Sequence, residues 1–254
     1  MTVAGLVAES LVVQYGGLVA VDGVTLAAPA GRITGLIGPN GAGKTSIFNA
    51  FSGLLRPALG RVLFDGEDVT RLPLPRRAQR GLGRTFQRIE LFDSLPVRDN
   101  VALGREGQLA ASSPWRQVVA RRTDRREVAL ATDEALEICG LGPVADRPAG
   151  TLSTGTRRLV ELARVLASGA RMLLLDEPSS GLDDTDSARF GEILRGVVAD
   201  RAVGVLLVEH HMGLVLDVCD YLYVLDFGRL LFEGTAAEAV ASDEVRAAYL
   251  GTAA

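Results

Sequence analysis

A single lysine, Lys44, stands in a chain that has 26 arginines, and it lies in a glycine-rich segment that begins at Gly38. The segment follows an apolar run, Arg32–Ile37, that predicts a strand, and it opens a run of helical character, Lys44–Gly53. Glycine lets the backbone curl until its N–H groups converge on an anion, and the helix adds the positive end of its dipole. The pattern G-x-x-x-x-G-K-T predicts a loop that binds nucleotide phosphates. Its members are Gly38, Pro39, Asn40, Gly41, Ala42, Gly43, Lys44, Thr45 and Ser46.

Two acidic residues, Asp176 and Glu177, follow a second apolar run, Met172–Leu175. A parallel strand delivers the residues at its carboxyl end to the ligand crevice of an α/β fold. Asp176 is therefore predicted to hold Mg²⁺ through water, with the hydroxyl of Thr45 as a second ligand, and Glu177 to polarise the attacking water. Beside the phosphate loop, these acids indicate a P-loop nucleoside triphosphatase with Lys44 between the phosphates. Without that neighbour, the acidic segment could equally be a strand that ends in a solvated turn.

A third segment, Leu152–Arg158, begins a helical pattern that continues to Ala167. Ser153 is a good N-cap residue, so the helix would present free N–H groups and a hydroxyl to an anion. In isolation this is better interpreted as an ordinary capped helix. Its place just before Met172–Leu175 gives it a further meaning, through a family resemblance.

Over essentially its whole length the chain resembles the nucleotide-binding domains of ABC transporters, whose signature LSGGQ is similar to Leu152–Thr156. The resemblance implies that two such domains enclose two ATP molecules. It also implies that Ser153 and Gly155 of one domain contact the γ-phosphate held by the other. Thr154 replaces a glycine of the signature and Thr156 replaces a glutamine.

Other family motifs follow in order. Tyr15 resembles the aromatic residue that stacks on adenine, although an aromatic residue also suits an ordinary strand. Gln87 resembles the Q-loop glutamine, which senses Mg²⁺ and the nucleotide and links them to the membrane partner. Asp183 belongs to a segment that resembles the D-loop of the dimer interface, and His210 resembles the switch histidine near the γ-phosphate. The resemblance thus implies catalytic roles for Lys44, Gln87, Glu177 and His210.

The assignment of the switch has an alternative in the neighbouring His211. The family pattern places the histidine directly after a glutamate, which favours His210. Adjacent histidines on a strand point to opposite faces, so only one is expected at the phosphate. Metal binding by the pair is less favoured, since no third ligand is evident.

These residues need a scaffold, and the chain pattern predicts an α/β fold. Residues 5–37 alternate apolar and polar residues between Gly-rich breaks, which predicts several short strands. Strands alternate with helices elsewhere, as in a parallel core, while helical patterns dominate Val97–Leu103 and Trp115–Cys139. We predict one ABC nucleotide-binding domain over residues 1–254. The P-loop ATPase core and an N-terminal antiparallel β-subdomain occupy 1–87 and 169–254, and an inserted helical subdomain with the signature occupies about 88–168.

The composition bounds the location of the protein. The formal net charge of −4 gives no sign of a basic arm for nucleic acid. The chain shows no apolar run near the ~20 residues that cross a bilayer. We predict no signal peptide, because no basic start precedes an apolar core and Glu9 interrupts the first segment early. Cys139 and Cys219 lack metal or redox spacing. We expect a cytoplasmic protein that is peripheral on the inner face of the cell membrane through a permease.

Two features indicate a subfamily. The stretch from Val208 to Gly251 and the polar insert Gly104–Arg126 are similar to ATPases of branched-chain amino-acid importers, which include urea and amide carriers. The arginines of the insert are interpreted as a solvated helix face in preference to a lipid-headgroup contact. They are Arg116, Arg121, Arg122, Arg125 and Arg126.

The resemblance implies several partners: ATP, a second ABC ATPase subunit that is identical or related, transmembrane permease subunits, and a solute-binding protein in the full system. The nearest alternative is the ATPase of a lipid or lipopolysaccharide exporter. A soluble ABC ATPase is disfavoured, because the chain lacks long coiled-coil insertions and tandem domains. An unrelated P-loop kinase or GTPase would lack the ordered signature, and a regulatory protein without turnover would not need Glu177. The cargo is chosen by the permease and the binding protein, so this sequence does not name it.

Overall fold

A computed structural model of the chain describes residues 4–112 and 122–250. This part of the chain forms two sheets and a set of helices. The strands are β1 (Gly5–Tyr15), β2 (Leu18–Pro29), β3 (Ile33–Ile37), β4 (Leu59–Phe64), β5 (Glu67–Asp68), β6 (Leu82–Arg84), β7 (Met172–Asp176), β8 (Gly204–Val208), β9 (Tyr221–Asp226) and β10 (Arg229–Gly234). The helices are α1 (Lys44–Ser52), α2 (Leu74–Gln79), α3 (Val97–Ser112), α4 (Arg122–Ile138), α5 (Thr154–Ala167), α6 (Asp184–Arg201), α7 (Met212–Val218), α8 (Ala236–Ala241) and α9 (Asp243–Leu250).

The first sheet is antiparallel and has the strand order β2-β1-β4-β5, as predicted for an N-terminal β-subdomain. Its first two strands have 11 and 12 residues, so the expectation of several short strands over residues 5–37 is wrong. The pairing of β1 with β2 shifts register at several positions, which accommodates the irregular alternation of apolar and polar residues without ending the strand. The expected break at Asp22–Gly23 lies inside β2, where Gly23 adopts a φ of +68°.

The second sheet has the order β10-β9-β3-β8-β7-β6 and is parallel from β9 to β6, with β10 as an antiparallel edge. Parallel strands end at the same edge of a sheet. The edge therefore collects the loop after Ile37, the segment after Arg84, Glu177 after β7 and Glu209 after β8.

The parallel sheet lies between two apolar layers. On β7, Leu173 and Leu175 belong to one buried cluster, which includes residues of α3 to α7. Met172 and Leu174 point the other way, into a cluster formed with α1 and the antiparallel sheet. The alternation of side chains along a strand thus gives the sheet two covered faces, as continuous apolar strands require. The predicted α/β fold is confirmed.

The helices α3, α4 and α5 lie between β6 and β7 in the chain, as the helical patterns predict. The helix expected at Val97–Leu103 continues to Ser112. Of the stretch Trp115–Cys139, residues 115–121 lie outside the described residues, and Arg122–Ile138 is helical. Arg125 and Arg126 are exposed on α4, whereas Arg116 and Arg121 lie outside the described residues.

Candidate nucleotide-binding and active site

The predicted phosphate loop joins β3 to α1 at the sheet edge, as the sequence pattern requires. Gly38, Gly41 and Gly43 adopt φ angles of +154°, +84° and +99°, which L-residues with a Cβ rarely adopt. A Cβ on Gly43 would also lie 2.5 Å from the carbonyl oxygen of Ala20. The backbone thus favours glycine at all three positions, and a Cβ is excluded by contacts at Gly38 and Gly43 but not at Gly41. Asn40 and Gly41 at the tip of the loop are exposed.

Lys44 is the first residue of α1 and is 8% exposed. Its Nζ donates to the carbonyl oxygens of Gly38 at 2.6 Å and Pro39 at 2.9 Å, so the ammonium folds back over its own loop. Burial lowers the pKa of Lys44 below its ordinary value of 10.5, and the negative charges of Glu177 and Asp176 act in the opposite direction. The three side chains thus share one electrostatic site.

Tyr15 lies at the end of β1, with its ring half exposed and its hydroxyl 3.4 Å from the Oγ of Ser46. The ring therefore stands beside the first turn of α1, next to the phosphate loop. An exposed aromatic ring in this position offers a flat apolar face to a base. Thr45, the neighbour of Ser46 on α1, is exposed.

Asp176 ends β7 and is buried, with its Oδ2 3.3 Å from a guanidinium nitrogen of Arg84. Burial raises the pKa of Asp176 above its ordinary value of 3.8, while the positive charge of Arg84 is the main influence that lowers it. Arg84 was not singled out from the sequence. Its contact with Asp176 joins residues 92 positions apart, which no local pattern shows.

Glu177 lies at the centre of a polar cluster. Its Oε2 accepts a hydrogen bond of 2.9 Å from the amide of Gln87, and Nδ1 of His210 stands 3.9 Å away. The backbone of Glu177 adopts a φ of +49°, an uncommon conformation for a residue with a side chain, and its N–H donates to the carbonyl of Val208 at 2.9 Å. Such strain is typical of residues whose side chain must be aimed.

Glu209 is a functional candidate that the sequence did not single out. The residue is fully buried, and its carboxylate accepts the backbone N–H groups of Ser179 at 2.8 Å, His210 at 3.1 Å and His211 at 3.4 Å. Both histidines follow the end of β8, so the expected alternation of faces along a strand does not apply to them. His211 is the N-cap residue of α7, whereas His210 is the one that approaches Glu177.

Ser153 is the N-cap of α5, as predicted, and its Oγ accepts the N–H of Thr156 at 3.3 Å. The hydroxyl of Thr156, which stands where the family has glutamine, lies 3.0 Å from the same Oγ. Ser153 is exposed, while Gly155 is buried so closely against Asp186 of α6 that a Cβ would collide with its carboxylate. The signature segment therefore packs against the start of α6.

Asp183 is the N-cap residue of α6, and its side chain accepts the N–H of Asp186 at 2.8 Å. The segment that resembles the D-loop thus has a structural role here as a helix start. The structure groups Lys44, Gln87, Asp176, Glu177 and His210 around one centre. Ser153, Gly155 and Asp183 lie instead at the starts of two neighbouring helices.

Side chains of α5 hold the backbone that follows β6. Arg158 donates to the carbonyl oxygens of Phe86 at 3.1 Å and Gln87 at 2.6 Å. Glu161 accepts the N–H of Glu90 at 2.9 Å, and it forms a buried ion pair of 3.0 Å with Arg158. The helix that begins at the signature is thereby tied to the loop that carries Gln87.

The residues present suit ATP and a divalent cation. The loop offers backbone N–H groups, a helix N-terminus and one ammonium, which is the donor set that phosphates require. Thr45, Asp176 and the amide oxygen of Gln87 are hard oxygen donors, the kind that Mg²⁺ prefers. Among the described residues no cluster of three His, Cys, Asp or Glu side chains has metal-site geometry, so an all-protein cage is not formed there.

These features define a P-loop ATPase. They are a parallel sheet, a glycine loop before α1, an aspartate at the end of β7 and a glutamate that directly follows it. A family model described as ABC transporter matches residues 21–180, and a model described as branched-chain amino acid ATP-binding cassette transporter matches residues 229–254. The chain belongs to the ABC transporter family, as its ATP-binding and ATP-hydrolysing component.

Three relatives are similar over nearly the whole chain. BraF, a high-affinity branched-chain amino acid transport ATP-binding protein of Pseudomonas aeruginosa, is 34% identical over 96% of this chain and 97% of its own. LivG of Escherichia coli, with the same description, gives the same figures. LptB, the lipopolysaccharide export system ATP-binding protein of Haemophilus influenzae, is 35% identical over 97% of both chains.

Solved structures agree with this assignment. The ADP conformation of MJ1267, an ATP-binding cassette of an ABC transporter, superposes with a TM-score of 0.84 at 29% identity, over 98% of this chain and 100% of that one. A nucleotide-free ATP-binding cassette gives a TM-score of 0.81 at 30% identity, over 96% and 98%. Within residues 4–112 and 122–250, no helix is both long and apolar enough to cross a membrane.

Proposed function

We propose that the chain hydrolyses MgATP when two copies, or this chain and a close relative, close on each other. The observation that carries the proposal is the cluster around Glu177, where Gln87 and His210 converge on one carboxylate next to Lys44. Phosphoryl transfer needs fixed charges more than covalent chemistry, and this cluster supplies them on one side of the γ-phosphate. Ser153 and Gly155, at the start of α5, are proposed to supply the other side to the partner subunit.

Each side chain has a distinct role in this proposal. Lys44 leaves its loop carbonyls to bind the β- and γ-phosphates, and the ring of Tyr15 stacks on adenine. Glu177 orients the attacking water, while His210 binds the γ-phosphate. Thr45, Gln87 and Asp176 would hold Mg²⁺, which would supply positive charge to the phosphate oxygens.

The remaining partners also belong to the proposal. ABC ATPases work in transporter complexes, and we infer that permease subunits contact this chain near the segment that follows β6, with a solute-binding protein in the full system. The chain would then lie on the cytoplasmic face of the membrane through the permease. The division into a core of residues 1–87 and 169–254 and a helical part of about 88–168 describes the two bodies that would move.

The closure is tested with Glu177→Gln, which keeps the shape of the side chain but removes the carboxylate that orients water. Wild-type and variant chains are compared by gel filtration with MgATP, with MgADP and without nucleotide. We expect the variant to bind ATP and to elute as a dimer only with MgATP. A variant that binds ATP yet stays monomeric at high concentration would refute the two-chain site.

The phosphate loop is tested with Lys44→Ala, which removes the only ammonium of the site. We expect nucleotide binding or turnover to be lost while the melting temperature without nucleotide is retained. Unchanged ATPase activity would refute the assignment of Gly38–Ser46 as the phosphate-binding loop.

For the cargo, we propose uptake of branched-chain amino acids or a related small solute. The support is the match of residues 229–254 to the branched-chain amino acid model, together with the similarity to BraF and LivG. A lipopolysaccharide or lipid exporter is the second candidate, because LptB is similar over an equal span. Purification of the chain with its permease from membranes, followed by uptake of labelled leucine, urea and lipid, separates the two.

A further inference from the structure

Arg84 is a buried cation that connects three parts of the site. One guanidinium nitrogen donates to Oδ1 of Asn49 at 2.9 Å and to Oγ of Ser52 at 2.7 Å, both on α1. The other nitrogen contacts Oδ2 of Asp176 at 3.3 Å. The Arg84 and Asp176 side chains are only 8% and 9% exposed, so solvent screens this contact little. The planar fork of arginine lets one side chain hold both neighbours at once.

The position of these anchors on α1 is informative. Thr45, Asn49 and Ser52 are spaced i, i+4 and i+7, so they lie along one face of the helix. Thr45 is the proposed magnesium ligand on that face. Arg84 forms hydrogen bonds with Asn49 and Ser52, which lie on the same face one and two turns after Thr45. Because Arg84 also holds Asp176, it fixes the separation between the two elements from which the metal ligands come.

The ring of Phe86 also lies against the guanidinium of Arg84. The centre of its ring lies 5.3 Å from the Cζ of Arg84, and the ring of Phe48 lies 5.7 Å away on α1. Phe86 is 39% exposed and directly precedes Gln87, so it joins the fork to the loop that carries the proposed metal-sensing amide. Arg84 is thus enclosed by α1, β7 and that loop.

We propose that Arg84 is a positioning residue, which holds the carboxylate of Asp176 at the distance from α1 that the magnesium ion of bound MgATP requires. Arg84 touches neither metal nor nucleotide in this proposal, and it acts through Asp176. The proposal rests on the proposed magnesium site. Partners that hold a metal-binding carboxylate typically change metal affinity by about 10–100-fold when they are removed.

The test compares the affinity for ATP in EDTA with the affinity in MgCl₂, measured by titration calorimetry on the full chain. The affinity in EDTA is independent of the metal, so it also reports that the nucleotide site of each variant is folded. Mn²⁺ affinity in the presence of ATP, followed by electron paramagnetic resonance, gives a second readout. The variants are Arg84→Met, which removes the charge, and Arg84→Lys, which keeps the charge but loses the fork.

Arg171→Lys is the matched control, since Arg171 also pairs with an aspartate, Asp65 at 2.8 Å, and lies over the ring of Phe64 at 5.4 Å, but at the opposite end of β7. The Mg²⁺ gain is the factor by which MgCl₂ raises the affinity for ATP above the affinity in EDTA. In both Arg84 variants we expect this gain and the Mn²⁺ affinity to fall about tenfold, while the affinity for ATP in EDTA is preserved. The control should keep the full gain.

A full Mg²⁺ gain in Arg84→Met would overturn the proposal, and a full gain in Arg84→Lys would overturn the role of the fork. If the Arg84 variants also lose affinity for ATP in EDTA, the double variant Asn49→Ala and Ser52→Ala decides, because it removes both side-chain anchors on α1 and leaves Arg84 and Asp176 in place. An unchanged Mg²⁺ gain in this double variant would then refute the bridge. A wild-type chain without any Mg²⁺ gain would instead refute the magnesium site itself, which is a different result.

Discussion

Replacing Arg158 and Glu161 together by methionine should cost the protein no more stability than replacing either one alone. The two side chains form an ion pair of 3.0 Å on α5 and are 5% and 2% exposed. Removal of one partner leaves a charge that is buried without its counter-ion, which typically costs about 3–5 kcal/mol. Methionine fits such sites because its unbranched side chain adapts to the space left behind.

The cost of the double variant follows from the backbone groups that the pair serves. Arg158 binds the carbonyl oxygens of Phe86 and Gln87, and Glu161 binds the N–H of Glu90. Loss of three such hydrogen bonds costs about 1 kcal/mol each, or about 3 kcal/mol in total. Independent effects of the single variants would instead sum to about 6–10 kcal/mol. The coupling energy is therefore expected to be at least about 3 kcal/mol.

The measurement is guanidinium-induced unfolding of the nucleotide-free chain, followed by circular dichroism for the wild type, both single variants and the double variant. The exposed pair Asp243 and Arg246 on α9 has the same i, i+3 spacing and serves as the control. Its replacement by alanine should change stability by less than about 1 kcal/mol with little coupling. A double variant as unstable as the sum of the single variants would refute the reasoning.

Three further results are expected. Gly43→Ala should abolish ATP binding, because its Cβ would lie 2.5 Å from a backbone carbonyl oxygen. A Cβ at Gly41 would meet nothing within 4 Å, so Gly41→Ala should weaken binding far less. Titration calorimetry measures both affinities, and equal losses would contradict this reasoning. Thr156→Val should lower the ATPase rate about fivefold by removing a hydrogen bond of about 1 kcal/mol to the signature serine, while Thr156→Ser keeps it; equal rates would show that the hydroxyl is idle. Burial raises the pKa of Asp176, so the protonated side chain stabilises the fold fully below pH 3.8, and this contribution is lost as the pH rises through the pKa of the folded state. In EDTA, the stability of Asp176→Asn relative to wild type should therefore increase with pH. A difference in melting temperature that stays constant with pH would contradict this.

The sequence predicted those parts of the site in which local spacing and function coincide. The loop from Gly38 to Thr45 binds the phosphates of one nucleotide. Its residues are therefore contiguous in the chain, and the sequence pattern contains all of them. Ser153 was predictable for the same reason, because an N-cap residue binds the N–H groups of the turn that directly follows it in the chain. The strand before Asp176 was also evident, since a buried parallel strand has a continuous apolar run.

Residues whose partners lie far along the chain were not predicted. Arg158 and Glu161 are charged residues on a helix, yet both are buried, and their partners in residues 86–90 lie about 70 positions away. Glu209 was seen as the neighbour of His210, although its carboxylate binds Ser179, 30 positions away. The length of β1 was missed for a related reason, because cross-strand pairing maintains a strand through the irregular positions around Ser10.

The single lysine of the chain has a practical consequence for chemistry on this protein. Acylating reagents react with uncharged amines, and burial lowers the pKa of Lys44, which favours that form at a given pH. No other side chain of the sequence carries an ε-amine, so one modified side-chain amine per molecule identifies one position. After digestion, an amine-reactive label on the one peptide that contains Lys44 therefore reports occupancy of the phosphate loop, separately from any label on the backbone α-amine and without any substitution in the chain.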